Sequence, residues 1–158
     1  IERICFFLQI MVVFIPFDVT LNDRLQLNIM SIQSIIDATT KTKPNILVIG
    51  DFILDQYIWS DATRISPEAP VPVCRVNNTT YVLGGAGNVV SNLLAFGASV
   101  RLAGVIGNDD NANRLQSLLT HTKLNTDLLI QSDQVATICK ARVIVRNQQL
   151  CRLDYRRC

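Results

Sequence analysis

The stretch Leu83-Gly84-Gly85-Ala86-Gly87-Asn88 puts three glycines within four residues, and an apolar pattern of helical spacing starts at once through Val89, Val90, Leu93, Leu94 and Phe96. Gly97 stands where such a helix would stop. Glycine lets a backbone approach a ligand closely and take conformations closed to other residues. A glycine turn that opens a helix points free N–H groups at whatever lies above it. Asn88 adds a side-chain donor and acceptor to the same turn. This chemistry suits a polyhydroxylated or anionic small molecule. The same residues can also make a tight helix start with no ligand, and taken alone the turn leaves both readings open. Two other glycine motifs are excluded. Counted from Gly85, the sixth position of a dinucleotide-binding fingerprint is Val90 instead of glycine. No Gly-Lys-Ser or Gly-Lys-Thr occurs, so there is no P-loop.

The pattern around the turn is α/β. Ser31 can cap a short helix with Ile32, Ile35 and Ile36 on one face, and Lys41 to Pro44 break it. Ile46-Leu47-Val48-Ile49 is a continuous apolar run ending in Gly50-Asp51, which predicts a buried parallel strand with a functional loop at its carboxyl end. Tyr57-Ile58-Trp59 reads as a short strand. Pro67, Pro70 and Pro72 make the next stretch an edge or connecting segment. Val71, Val73 and Val76 lead to an expected turn at Asn77-Asn78 and a strand through Tyr81. After the glycine turn and its helix, Ser99 to Val105 predicts a strand. Asn108 or Asp109 can cap a helix whose Ala112, Leu115, Leu118 and Leu119 form one stripe. Thr126 to Ile130 reads as a further strand, and Thr137 to Val145 with Leu150 to Tyr155 as a hairpin around Asn147-Gln148.

Composition narrows the function classes. The chain has 158 residues, enough for one domain with a core, and its 49% hydrophobic content excludes disorder. A net charge of +2 without a basic stripe gives no case for nucleic acid. The five cysteines are scattered and include no C-x-x-C pair, so neither a zinc site nor a disulfide framework is supported, and a reduced, cytoplasmic compartment is expected. The apolar run from Ile4 to Phe17, broken by Gln9 and Pro16, is short for a bilayer span. Residues 1–29 begin with Ile1; they read as translated upstream sequence with Met30 as the natural start, the alternative being an export or membrane segment.

Several polar residues stand out, each with a plainer reading beside the functional one. Asp51 and Asp55 follow the first strand, and carboxylates accept well from vicinal hydroxyls; the alternative is a turn-forming Asp51 and a solvated or capping Asp55. Lys140, Arg142 and Arg146 share strand parity, and three cations on one face suit a sugar phosphate; the alternative is a solvated face. Arg64, Ser66 and Glu68 lie in the proline-rich segment, which can also be a rigid spacer. His121 follows a helix end and reads as a dipole or surface residue.

The glycine turn, its helix, Gly97 and Gly107 together resemble the first signature of the ribokinase-like (PfkB) carbohydrate kinases. Gly50-Asp51-Phe52-Ile53-Leu54-Asp55, the run Arg64 to Val73, and Arg146 to Asp154 narrow the resemblance to the kinase domain of the bacterial heptose 7-phosphate kinase / heptose 1-phosphate adenylyltransferase family. It covers residues 30–155, with Val90 departing where the general signature has a small residue.

The resemblance implies the N-terminal half of a three-layer α/β/α domain with a small inserted β-lid. It also implies phosphoryl transfer from ATP to O1 of D-glycero-β-D-manno-heptose 7-phosphate, for ADP-heptose and lipopolysaccharide core synthesis. Gly84, Gly85 and Asn88 are implied to hold sugar hydroxyls, and Arg64, Ser66 and Glu68 to serve a lid and possible homodimer contact. ATP and Mg²⁺ are implied for the intact enzyme, with neither assigned to this chain. The catalytic base and anion hole are expected in the other half, so no catalytic residue is assigned and no turnover is expected from this chain alone. The alternative is a non-catalytic product that binds sugar or dimerises. Residues 156–158 replace the acidic continuation seen in that family and read as an aberrant tail.

Overall fold

The computed structural model describes residues 11–15 along the backbone, and residues 43–120, 122, 124 and 126–155. The expected helix around Ile32, Ile35 and Ile36, His121, and the tail 156–158 lie outside the described residues. In chain order the elements are β1 (Met11–Ile15), β2 (Asn45–Ile49), β3 (Phe52–Ile65), β4 (Pro72–Gly85), α1 (Ala86–Ala95), β5 (Ser99–Gly107), α2 (Asp110–Thr120), β6 (Leu128–Ser132), β7 (Ile138–Val145) and β8 (Gln148–Tyr155).

They form two four-stranded sheets. The first has the order β1-β2-β5-β6, with β2, β5 and β6 parallel and β1 antiparallel to β2. β1 lies inside the 1–29 stretch, and its backbone pairs Met11 with Ile49 and Ile15 with Asn45. One face of this sheet presents Ile46, Val48, Val100, Leu102 and Leu129, packed in one core with Ala86, Val90, Ala112, Leu115 and Leu119 of the helices. Each fully buried aliphatic side chain there contributes about 1.5–3 kcal/mol. Val105, Leu128 and Ile130 on the opposite face are exposed.

The second sheet is the lid, in the order β4-β3-β7-β8. It is mixed: β3 runs antiparallel to β4 but parallel to β7. Its base joins the core through Phe52, Leu54 and Cys139. The structure corrects three local expectations here. The short strand around Tyr57-Ile58-Trp59 is a strand of 14 residues, because β3 sits between β4 and β7 and is hydrogen-bonded on both sides. No turn forms at Asn77-Asn78. A hairpin turn of that kind needs positive φ, which among described non-glycine residues only Lys43, Arg146 and Asn147 adopt. Asn77 is instead the extra residue of a bulge, since Trp59 pairs with Asn78 and Ser60 with Val76. Its amide donates to Asp61 Oδ2 at 2.7 Å. The chain reverses in the proline segment, where Ser66 N–H donates to the Val71 carbonyl at 2.8 Å. The β7–β8 turn is Arg146-Asn147, at φ 47° and 64°, one residue earlier than expected.

Two glycines are required by conformation. Gly85, at φ 56°, closes β4, and a Cβ there would stand 2.5 Å from the Asp51 carbonyl oxygen. The same oxygen accepts from Ala86 N–H at 2.9 Å, which ties the start of α1 to the end of β2. Gly97, at φ 81°, ends α1, with Gly97 N–H on the Leu94 carbonyl and Ala98 N–H on that of Leu93.

Candidate functional site

The glycine turn lies where the two sheets meet, between the end of β4 and the start of α1. Gly84 is buried, and a Cβ on it would stand 2.5 Å from Asp55 Oδ2. The missing side chain is therefore what lets the Asp55 carboxylate rest over the turn. Asp55 lies inside β3, not in a loop, so its position is set by pairing with Val82 and Lys140 on its two sides. Asp51 stands between β2 and β3, beside Gly85. Asn88 is exposed in the first turn of α1. That turn has no side-chain cap and no acidic residue; Ala86 N–H is taken by the Asp51 carbonyl, and the N–H groups that follow stand at the positive end of the helix dipole.

The lid brings more charge to the same place. Lys140 pairs in register with Asp55 on one side and Asp154 on the other, and Arg142 with Tyr57 and Arg152. Arg142 Nη1 meets Asp55 Oδ1 at 2.7 Å and also reaches the Lys140 carbonyl at 3.4 Å. The guanidinium lies 5.2 Å from the centroid of the Tyr57 ring. The hydrogen bond that Arg142 donates to Asp55 raises the Arg142 pKa beyond its already high value, against burial, which lowers it. Arg146 does not join this group. It sits exposed in the hairpin turn beyond the end of β7, where a positive φ takes it out of the strand alternation that Lys140 and Arg142 share. Arg64 stands nine positions past Asp55 on β3, about 30 Å along a strand. Arg64, Ser66 and Glu68 thus form the far tip of the lid, with Glu68 N–H on Ser66 Oγ at 3.2 Å.

A cleft of about 530 Å³ opens beside this face at the carboxyl ends of β5 and β6, lined by Asn108, Asp109, Asp133, Thr137 and Asp154 among others. Asp109 caps α2 through Ala112 N–H at 2.8 Å and accepts Thr137 N–H at 2.9 Å. Partial burial pushes its pKa up, but the hydrogen bonds from Thr137, Ala112 and Asn111 outweigh this and hold the carboxyl below its ordinary value. The sequence leaves the cap to Asn108 or Asp109, the structure gives it to Asp109, and the bond to Thr137, which spans 28 positions, has no local signal. Tyr57, Arg152 and Asp154 were also missed as neighbours of the cations. The only signal that could have found them was strand register, which is not local. Among the described residues, no three His, Cys, Asp or Glu side chains converge to hold a metal ion, and no helix is long and apolar enough to cross a membrane.

Residues 43–154 match the family described as pfkB family carbohydrate kinase. The chain is 50% identical over 112 residues to the bifunctional protein HldE of Aliarcobacter butzleri (strain RM4018), and 49% identical over 111 residues to that of Sulfurimonas denitrificans (strain ATCC 33889 / DSM 1251). These matches take in 71% and 70% of this chain but 24% and 23% of the relatives, so the chain spans about a quarter of their length. A carbohydrate kinase from Agrobacterium tumefaciens superposes with a TM-score of 0.55 at 20% identity, covering 69% of this chain and 34% of that one. The likeness shows the ribokinase-like fold in part of its length.

Proposed function

Because the chain belongs to the pfkB family of carbohydrate kinases, we propose that it carries the acceptor side of a sugar-phosphate kinase. The acceptor is D-glycero-β-D-manno-heptose 7-phosphate, and the position phosphorylated is O1. The observation that carries this is the Asp55 carboxylate lying over Gly84, beside a helix start that has no side-chain cap. Asp51 and Asp55 accept from sugar hydroxyls, which pair well with oxygens that have no hydrogen to misplace. Gly84 and Gly85 let the ring come close to the backbone, and Asn88 completes the polar contacts.

ATP supplies the phosphoryl group in the intact enzyme, with Mg²⁺ to neutralise its charge. The described residues offer no converging carboxylates for the metal. The product feeds ADP-heptose and lipopolysaccharide core synthesis in the cytoplasm. In this reading the described residues position the acceptor, and the base for its hydroxyl comes from elsewhere in the intact enzyme.

Titration calorimetry of the purified chain with heptose 7-phosphate tests the reading. Binding that drops about tenfold or more in Asp51→Asn or Asp55→Asn is expected, as for loss of a charge-assisted hydrogen bond. Unchanged affinity in both variants sinks it, and γ-phosphoryl transfer by the purified chain would overturn the acceptor-only role. A second reading, a module that binds or dimerises without turnover, is favoured by the lid tip, where Ile65, Val71 and Val76 are exposed near Arg64, Ser66 and Glu68.

A further inference from the structure

Gly107 and Thr137 are both buried where the lid joins the first sheet. Three strands of the lid are rooted there. The roots of β3 and β4 are tied by the Asp51 carbonyl, which accepts Ala86 N–H at 2.9 Å. The third root is the start of β7, and side chains hold it. Thr137, 3% exposed, stands just before β7. Its Oγ1 accepts Gly107 N–H at 3.0 Å, and its own N–H donates to Asp109 Oδ2 at 2.9 Å. Asp109 Oδ1 accepts Ala112 N–H at 2.8 Å, so one carboxylate ties β7 to the first turn of α2. Gly107 supplies the space: a Cβ on it would stand 2.6 Å from Asp109 Oδ2 and 2.7 Å from Thr137 N. Helix α2 meets the lid a second time, where the Arg114 guanidinium lies 5.1 Å from the centroid of the Tyr81 ring on β4. Gln56 of β3 reaches Tyr81 Oη at 3.5 Å and Cys139 Sγ of β7 at 3.8 Å. One helix thus braces β7 and β4, the two strands that flank β3.

Resting on the acceptor reading above, we propose that Thr137, Asp109 and Arg114 are positioning residues of the acceptor site. They fix the tilt of the lid on the first sheet, and with it the place of Asp55 over the glycine turn. Arg142 is the fifth residue of β7, and it meets Asp55 on β3 at 2.7 Å. Whatever holds the start of β7 therefore also sets how Asp55 is held. The joint is stiff because a buried hydroxyl and a half-buried carboxylate accept from backbone N–H groups, and breaking either bond leaves a donor unpaired. A loosened joint leaves the lid in its binding position for only part of the time, and the apparent affinity falls by that fraction. These residues act through the lid and not on the sugar.

The test combines hydrogen exchange with calorimetry of heptose 7-phosphate on the whole chain. Leu102→Ala, a core lesion far from these bonds in role, is the control. Thr137→Val keeps the side-chain shape and removes the acceptor of Gly107 N–H. It should speed exchange at the start of β7 about tenfold or more while leaving the amides of β2 unchanged. The same variant should weaken binding severalfold, and Thr137→Ser, which keeps the hydroxyl, should restore both readouts. Gly107→Ala should act in the same direction as Thr137→Val. Arg114→Gln, milder for the fold, should weaken binding about two- to fivefold. Leu102→Ala should instead speed exchange throughout the core and leave the affinity of the folded chain as it was. Parent-like affinity in Thr137→Val and Arg114→Gln overturns the positioning role and leaves the acceptor site standing. So does faster exchange spread evenly over the core in Thr137→Val, or a loss in Thr137→Ser equal to that in Thr137→Val. Failure of the folded parent chain to bind the sugar phosphate overturns both.

Discussion

The two sheets are built on opposite principles. In the first, β2 and β5 bury alternate residues under α1 and α2, and Val48 and Leu102 are fully buried. In the lid, only the base of β3, β4 and β7 reaches the core, and every residue of β8 is exposed. Stability therefore comes from the parallel sheet and the lid root, while the charged side chains gather on the lid face that packing leaves open. The glycine turn is the seam, since Gly85 serves the fold and its neighbour Gly84 serves the site.

The comparison breaks first in the core. Leu102→Ala removes a fully buried side chain and should cost about 2–5 kcal/mol in denaturant unfolding. Leu153→Ala on the lid, where the side chain is 45% exposed, should stay within about 0.5 kcal/mol. Equal losses would mean that the lid is as much a part of the core as the parallel sheet.

The seam comes next. Gly85→Ala forces a side chain into positive φ and against the Asp51 carbonyl, at a cost of about 2 kcal/mol or more by thermal or chemical unfolding. Gly84→Ala meets only the flexible end of Asp55. It should cost about 1 kcal/mol or less in stability yet weaken sugar-phosphate binding at least tenfold by calorimetry. Reversal of that order would dissolve the division of labour between the two glycines.

Asp109→Asn weakens the α2 cap and its tie to Thr137, an expected loss of about 1 kcal/mol near neutral pH. Because the folded carboxyl titrates below 3.8, its contribution is present above the unfolded pKa. It is lost as pH falls through the lower folded value. Unfolding curves of the parent and Asp109→Asn should therefore converge below about pH 4. The smallest effect belongs to the exposed Arg152–Asp154 pair. Arg152→Ala should change stability by less than about 0.5 kcal/mol, in low salt or high.

Much of the α/β unit was legible because its signals are local. The run Ile46 to Ile49 ends at Gly50-Asp51 as a buried parallel strand must, and Val90, Leu115 and Leu119 fall on the faces their spacing gives them. Asp109 caps α2 through a neighbour three positions on. The lid was less legible. β3 reads as a short strand because Gln56, Ser60 and Asp61 interrupt its pattern, and only pairing on both sides extends it. The bulge at Asn77 carries the same residue types that make a hairpin turn, so composition could not separate the two.

By itself the sequence determined the glycine turn, the helix after it, the strand before Asp51 and the presence of paired carboxylates and cations, because each depends on residues a few positions apart. The tertiary structure alone decided which charges meet. Arg142 reaches Asp55 across 87 positions of chain, while Arg146, four positions further on, is carried away by a tight turn. Strand register makes that choice, and register is fixed by the packing of whole sheets, which no short stretch of sequence contains.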